Sequence, residues 1–221
     1  MAQVPPKVGG VAAVAGALAL SLGTYLHPLD ADPNDAPAAF AEYAANSSWV
    51  WTHLGQFFGV ALILIGFVAA RDAMEEERGA WIARLGLLFG MVALASAAAL
   101  QAVDGVALKV MVDHWASAPP DQKQSAFTAA FAVRQIEVGM ATFLQLLFGA
   151  TMILYGAAMA RSRVFPHWLG WLAAAGGLGM AAGGLLSGSI GFSPGEMTVA
   201  MPSSAVAVLW IIMVGVVLWR R

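Results

Sequence analysis

The sequence predicts an all-α protein, a polytopic transmembrane helical bundle of six spans, and three observations carry this. Hydrophobic residues make up 60% of the 221-residue chain and charged residues only 11%, whereas a soluble domain carries about 25% charge. Apolar, uncharged runs of about 20 residues, the length that crosses a ~30 Å hydrocarbon core, recur six times along the chain. Within them Ala, Leu, Val and Gly follow one another without the alternation of a membrane β-barrel. Helices are then the remaining way to satisfy a backbone in lipid.

The expected spans are residues 8–26, 49–70, 82–103, 138–160, 168–190 and 202–219, joined into a single transmembrane domain over 1–221. Lys7 before an apolar run with Ala17-Leu18-Ala19 imitates a secretory signal, but the run continues to Leu26 and reads as a retained helix. In the connection 27–48, Asp35-Ala36-Pro37 has the pattern of an N-cap followed by a first-turn proline, which predicts a short surface helix over about 37–45. The run Asp72–Arg78 reads as a solvated turn. In the connection 104–137, Pro119-Pro120-Asp121 with Gln124 resembles a capping box. Nothing breaks the pattern from there to Ala160, and the third helix extends toward His114, so the third and fourth helices are expected to form a hairpin rising above the bilayer. A last outer connection covers 191–201.

Lys7, Arg71, Arg78, Arg84, Arg161, Arg163, Arg220 and Arg221 fall on one side of this layout; Lys109, Lys123 and Arg134 fall on the other. Positive residues stay in the cytoplasm, so both termini are expected to be cytoplasmic and the acidic connection 27–48 external, in a plasma-membrane protein. A formal net charge of −2 supplies no field for phosphates, which excludes nucleic acid as a partner. With no cysteine there is no thiolate chemistry, and HExxH, GxSxG and P-loop patterns are absent.

Counting outward about 20 residues from each cytoplasmic helix end places the most polar side chains of four helices near one depth, with His27 at the end of the first. His53, Gln56, Gln101, Asp104, Arg134 and Glu137 are the candidate ligand-binding residues. Antiparallel third and fourth helices would set Asp104 opposite Glu137, with Arg134 one turn from Glu137 and able to fork between both carboxylates. The small residues of the glycine-rich helix 168–190 suit either the bundle centre or a subunit contact.

With the segment Trp51-Thr52-His53-Leu54-Gly55 opening its second helix, the layout resembles small, uncharacterised six-span bacterial integral membrane proteins. That resemblance implies the fold and no catalytic residue.

The leading expectation is a non-enzymatic membrane protein whose outward-facing polar pocket binds or passes a small or lipid-like ligand. A second is a membrane oxidoreductase carrying haem or a transition metal. Its ligands would come from His27, His53 and His114: His27 and His53 as axial haem ligands, or His53 and His114 with Asp104 and Glu137 around an ion. A third is an accessory subunit of a larger membrane complex, or a homo-oligomer, assembled through helix 168–190.

Overall fold

The computed structural model describes residues 3–28 and 30–221, and among these there are helices and no strand. In chain order they are α1 (Pro6–Leu26), α2 (Ala36–Ala45), α3 (Trp49–Ala73), α4 (Ala80–Ala102), α5 (Lys109–Ser117), α6 (Lys123–Met159), α7 (His167–Ile190) and α8 (Pro194–Trp219), with a π-helical turn at Val103–Leu108 joining α4 to α5. Six stretches are long and apolar enough to cross a bilayer: α1, α3, the continuous run Ala80–Ser117, α6, α7 and α8. The chain is a multi-pass membrane protein. Leu18, Phe58, Leu88, Phe143, Leu178 and Leu209 are exposed on the outside of the bundle, where acyl chains replace water.

Two of the spans are tall. Ala80–Ser117 has 38 residues and α6 has 37, roughly 55 Å each at 1.5 Å per residue, so the connection 104–137 is helical except at residues 118–122. The expected capping box does not form. Residue α6 starts from is Lys123, with no side-chain cap at Gln122, and Lys123 turns back instead. Its Nζ donates to the Trp115 and Ala116 carbonyls at 2.6 and 3.0 Å, meeting the negative end of the α5 dipole.

The sixth span begins earlier than Pro202. The Ser193 hydroxyl accepts from the Glu196 N–H at 3.2 Å with Pro194 in the first turn, an N-cap that starts the helix there. Pro202 therefore lies inside α8, and the last connection shrinks to residues 191–193. Gly191, at φ 69° and ψ −171°, reverses the chain in a conformation essentially reserved for glycine.

The six long helices close into a ring in which each packs on its neighbours: α1 on α3, α3 on α4, α4 on α6, α6 on α7, α7 on α8 and α8 on α1. Small residues set the closest approaches. Gly156 of α6 and Gly170 of α7 each face the other's carbonyl, where a Cβ would lie no more than 2.6 Å from oxygen. The glycines offered by the sequence for a subunit contact are thus occupied within the chain, with Gly176 and Gly183 turned toward Val206 and Ala200 of α8.

Both described chain ends and two of the turns gather at one end of the ring. The Val4 N–H donates to Asp72 at 3.0 Å, the Arg163 N–H to Glu77 at 3.2 Å and Arg221 to the Val164 carbonyl at 2.8 Å. Above this terminal end the ring is filled. Phe67 stacks on Tyr155 at 5.0 Å and meets Trp210 at 5.6 Å, and the Tyr155 hydroxyl donates to the Phe67 carbonyl at 2.8 Å. The opposite end carries α2, the α5–α6 tip and residues 191–193. There α2 is packed rather than afloat: Phe40 and Tyr43 are buried in a second apolar cluster with Trp49, Leu108 and Ala130.

Candidate functional site

The site is built at the hairpin end, where the α4–α5 stretch widens into its π-helical turn. The turn holds Asp104 and Gly105, and such bulges re-aim side chains within an otherwise regular helix. Gly105 rests directly against the His53 side chain. Across that contact the Trp49 indole N–H donates to the Asp104 backbone carbonyl at 3.0 Å, and His53 Nε2 lies 3.0 Å from Asp104 Oδ2. His53 is buried, at 1% exposure. Its Nδ1–H donates one turn back to the Trp49 carbonyl at 2.7 Å.

His27, the first residue beyond α1, closes over this group. Its ring centroid is 5.2 Å from that of His53 and 4.9 Å from Trp49, and its Nδ1–H donates to the Pro28 carbonyl at 2.9 Å. Burial holds its pKa below the usual histidine value, against the opposing pull of Asp104. His27, His53 and Asp104 come together; His114 does not, and lies exposed on α5.

Arg134 and Glu137 share a face of α6 and pair at 3.3 Å with both side chains nearly buried. The sequence placed Asp104 in the same network. Instead the polar groups divide into two pairs, His53 with Asp104 and Arg134 with Glu137. The reason is Tyr43: α2 docks so that its hydroxyl accepts from Arg134 Nη1 at 2.9 Å, while the Tyr43 and Phe192 rings cover the guanidinium at 5.4 and 5.1 Å. A cation between two aromatic faces is stabilised by their quadrupoles. Burial pushes the Tyr43 phenol up to about 12, with Arg134 pulling the other way.

Between these pairs and α8 lies a cavity of about 280 Å³. Asp104, Arg134, Glu137, Gln56 and Gln101 all line it, as does His27, and Leu100, Ala141, Met197 and Met201 supply apolar wall. His53 stands behind the wall and meets two of its lining residues, Asp104 and His27. Gln101 donates to Gln56 at 3.3 Å. Asp104 Oδ1, Gln101 Oε1 and Gln145 Oε1 are buried with no partner among the described residues, which is costly unless something fills the role.

Tyr43, Trp49, Phe192 and Glu196 also belong to the site and were not among the sequence candidates. Glu196 lines the cavity from α8 and accepts from Gln145 at 3.4 Å. Its signal was present as Ser193-Pro194-Gly195-Glu196, a helix-start signature. Tyr43 and Phe192 carry none, because their place depends on how distant segments dock.

Neither the curated proteins nor the solved structures contain a match to the chain. One family does match, over residues 76–219, the stretch from the turn before α4 to the end of α8. Asp104, Arg134, Glu137 and Glu196 lie inside that stretch, while His27, Tyr43 and His53 lie before it. Since the match spans well over half of the 221 residues, the chain belongs to the family described as a domain of unknown function, DUF4386.

Proposed function

We propose that the protein is a plasma-membrane binding protein, one transmembrane domain with both termini cytoplasmic, whose cavity takes a small or lipid-like ligand from the outer side. The observation that carries this is the cavity itself, about 280 Å³ with polar groups and apolar side chains, Met197 and Met201 among them, in one lining. That mixed lining suits an amphiphile with its head toward Gln56, Gln101 and Glu137 and its apolar part along Met197 and Met201. Phe67, Tyr155 and Trp210 pack the ring's terminal half, a floor that favours binding over passage. The orientation rests on the excess of Lys and Arg at the terminal end.

Haem between His27 and His53 finds no support. Axial imidazoles face each other across a porphyrin, whereas these rings meet edge to face at 5.2 Å. Assembly through α7 also loses its motive, since the small residues there already meet α6 and α8.

The test is thermal stabilisation of the detergent-purified protein across a panel of lipids and small metabolites. A ligand of the cavity should raise the unfolding midpoint of the wild type and lose that effect with Gln101→Leu, whose side chain holds only Gln56. Asp104→Ala and Arg134→Ala should lose it as well. Undiminished stabilisation in all three variants would reject the site.

A further inference from the structure

We propose that His27, His53 and Asp104 form a binding site for a divalent transition-metal ion, zinc or a metal of similar ligand preference, in the wall of the cavity. Ligand atoms of the three residues all lie within 4.8 Å of one another. Each imidazole has its Nδ1 engaged by a backbone carbonyl, Pro28 for His27 at 2.9 Å and Trp49 for His53 at 2.7 Å. A carbonyl only accepts, so in both rings Nδ1 carries the hydrogen, which leaves Nε2 as the atom that can present a lone pair to a cation. Metal-bound histidines are held in this way, with the second N–H fixed by a carbonyl or carboxylate.

His53 Nε2 faces Asp104 Oδ2 at 3.0 Å. Two acceptors at that distance repel unless a cation lies between them, and the choice is a proton or a metal ion. Arg134 does not supply the charge, being paired with Glu137; the cavity lining holds the carboxylates of Glu42, Asp104, Glu137 and Glu196 and this single guanidinium. Asp104 Oδ1 is buried without a partner among the described residues, so the carboxylate has an oxygen to spare.

Two imidazoles with one carboxylate suit Zn, Fe or Cu, whereas Mg and Ca favour all-oxygen sites. Bonds of 2.0–2.1 Å around tetrahedral zinc set ligand atoms roughly 3.3 Å apart. The His53–Asp104 edge has about that spacing, and His27, lying just past the end of α1, closes the rest. Because His27 and Asp104 both line the cavity, a fourth coordination position opens into it, for water or an occupant. The proposal stands apart from the ligand reading above, since the metal needs no occupant.

The full chain in detergent, stripped with a chelator and titrated with Co²⁺, should bind one equivalent, develop the visible ligand-field bands of a low-symmetry N/O site, and lose them when Zn²⁺ is added. Zn²⁺ alone should raise the unfolding midpoint. His27→Gln, at a half-buried helix end, should weaken Co²⁺ binding at least tenfold, while His114→Gln and His167→Gln leave it unchanged. No cobalt bands with the wild type, an affinity unaltered by His27→Gln, or loss of binding with His114→Gln would each overturn the assignment. The wild-type titration depends on no variant folding, and ligand stabilisation measured on metal-stripped protein separates this outcome from that of the cavity reading.

Discussion

Gly105 packs so closely on His53 that a Cβ at residue 105 would lie 2.6 Å from the His53 Cβ. The π-helical turn and the buried imidazole therefore depend on each other. Gly105→Ala should force α3 away from the turn and lower stability by about 1–3 kcal/mol, as overpacking does, read as a drop in the unfolding midpoint. Gly139→Ala is the control, because a Cβ there meets nothing within 4 Å and alanine favours the helix. Equal effects of the two substitutions would contradict the contact.

Arg134 balances Glu137 where neither reaches much solvent. Removing one member of such a pair leaves a buried charge uncompensated, at a cost of about 3–5 kcal/mol. Arg134→Ala should thus destabilise more than Lys123→Ala, which frees two carbonyls at the exposed tip and costs ~1 kcal/mol. Adding Glu137→Ala to Arg134→Ala should recover part of the loss. A double variant less stable than either single one would argue against pairing.

The six spans were legible because charge is costly in lipid. Charged residues of either sign cluster in the connections, Lys and Arg mainly at the terminal end and acids in 27–48, and the long uncharged runs between them have one physical explanation. The tall hairpin was legible for a related reason, since nothing between Ser125 and Ala160 interrupts the helical pattern. The start of α8 was obscured by Pro202, which normally marks a first turn and here lies within a helix already capped by Ser193.

Depth counting gathered His53, Gln56, Gln101, Asp104, Arg134 and Glu137 because helix rise is regular. It could not assign partners. Whether Arg134 meets Asp104 or Tyr43 depends on the docking of α2, a contact 91 residues apart in sequence, and the π-helical turn at Val103–Leu108 interrupts no hydrophobic pattern. A single wide turn shifts the helical phase by one residue, too small a change to read within six residues.

The proposed sidedness rests on the charge bias and is open to direct labelling. The chain has no cysteine, and Asn34 and Glu76 are exposed at opposite ends of the bundle. Asn34→Cys should react with an impermeant maleimide in intact cells, and Glu76→Cys only after permeabilisation. The reverse pattern would invert the topology, and reaction of both in intact cells would reject it.

Tyr43 gives a pH test of the same docking. Tyr43→Phe removes the hydroxyl that accepts from Arg134, and a hydrogen bond to a charged group is worth about 1.5–3 kcal/mol. The folded phenol is pushed up to about 12 by burial, against ~10 in an unfolded chain. Between these values the unfolded chain gives up a proton that the folded one keeps, so stability falls as pH rises. The stability advantage of wild type over Tyr43→Phe should be complete below about pH 10 and shrink from there toward pH 12. Paired unfolding measurements at pH 8, 10 and 11 check this, with tyrosinate absorbance following the late ionisation that the variant lacks. An advantage constant across that range would mean that Tyr43 ionises freely, and that α2 does not bury it against Arg134.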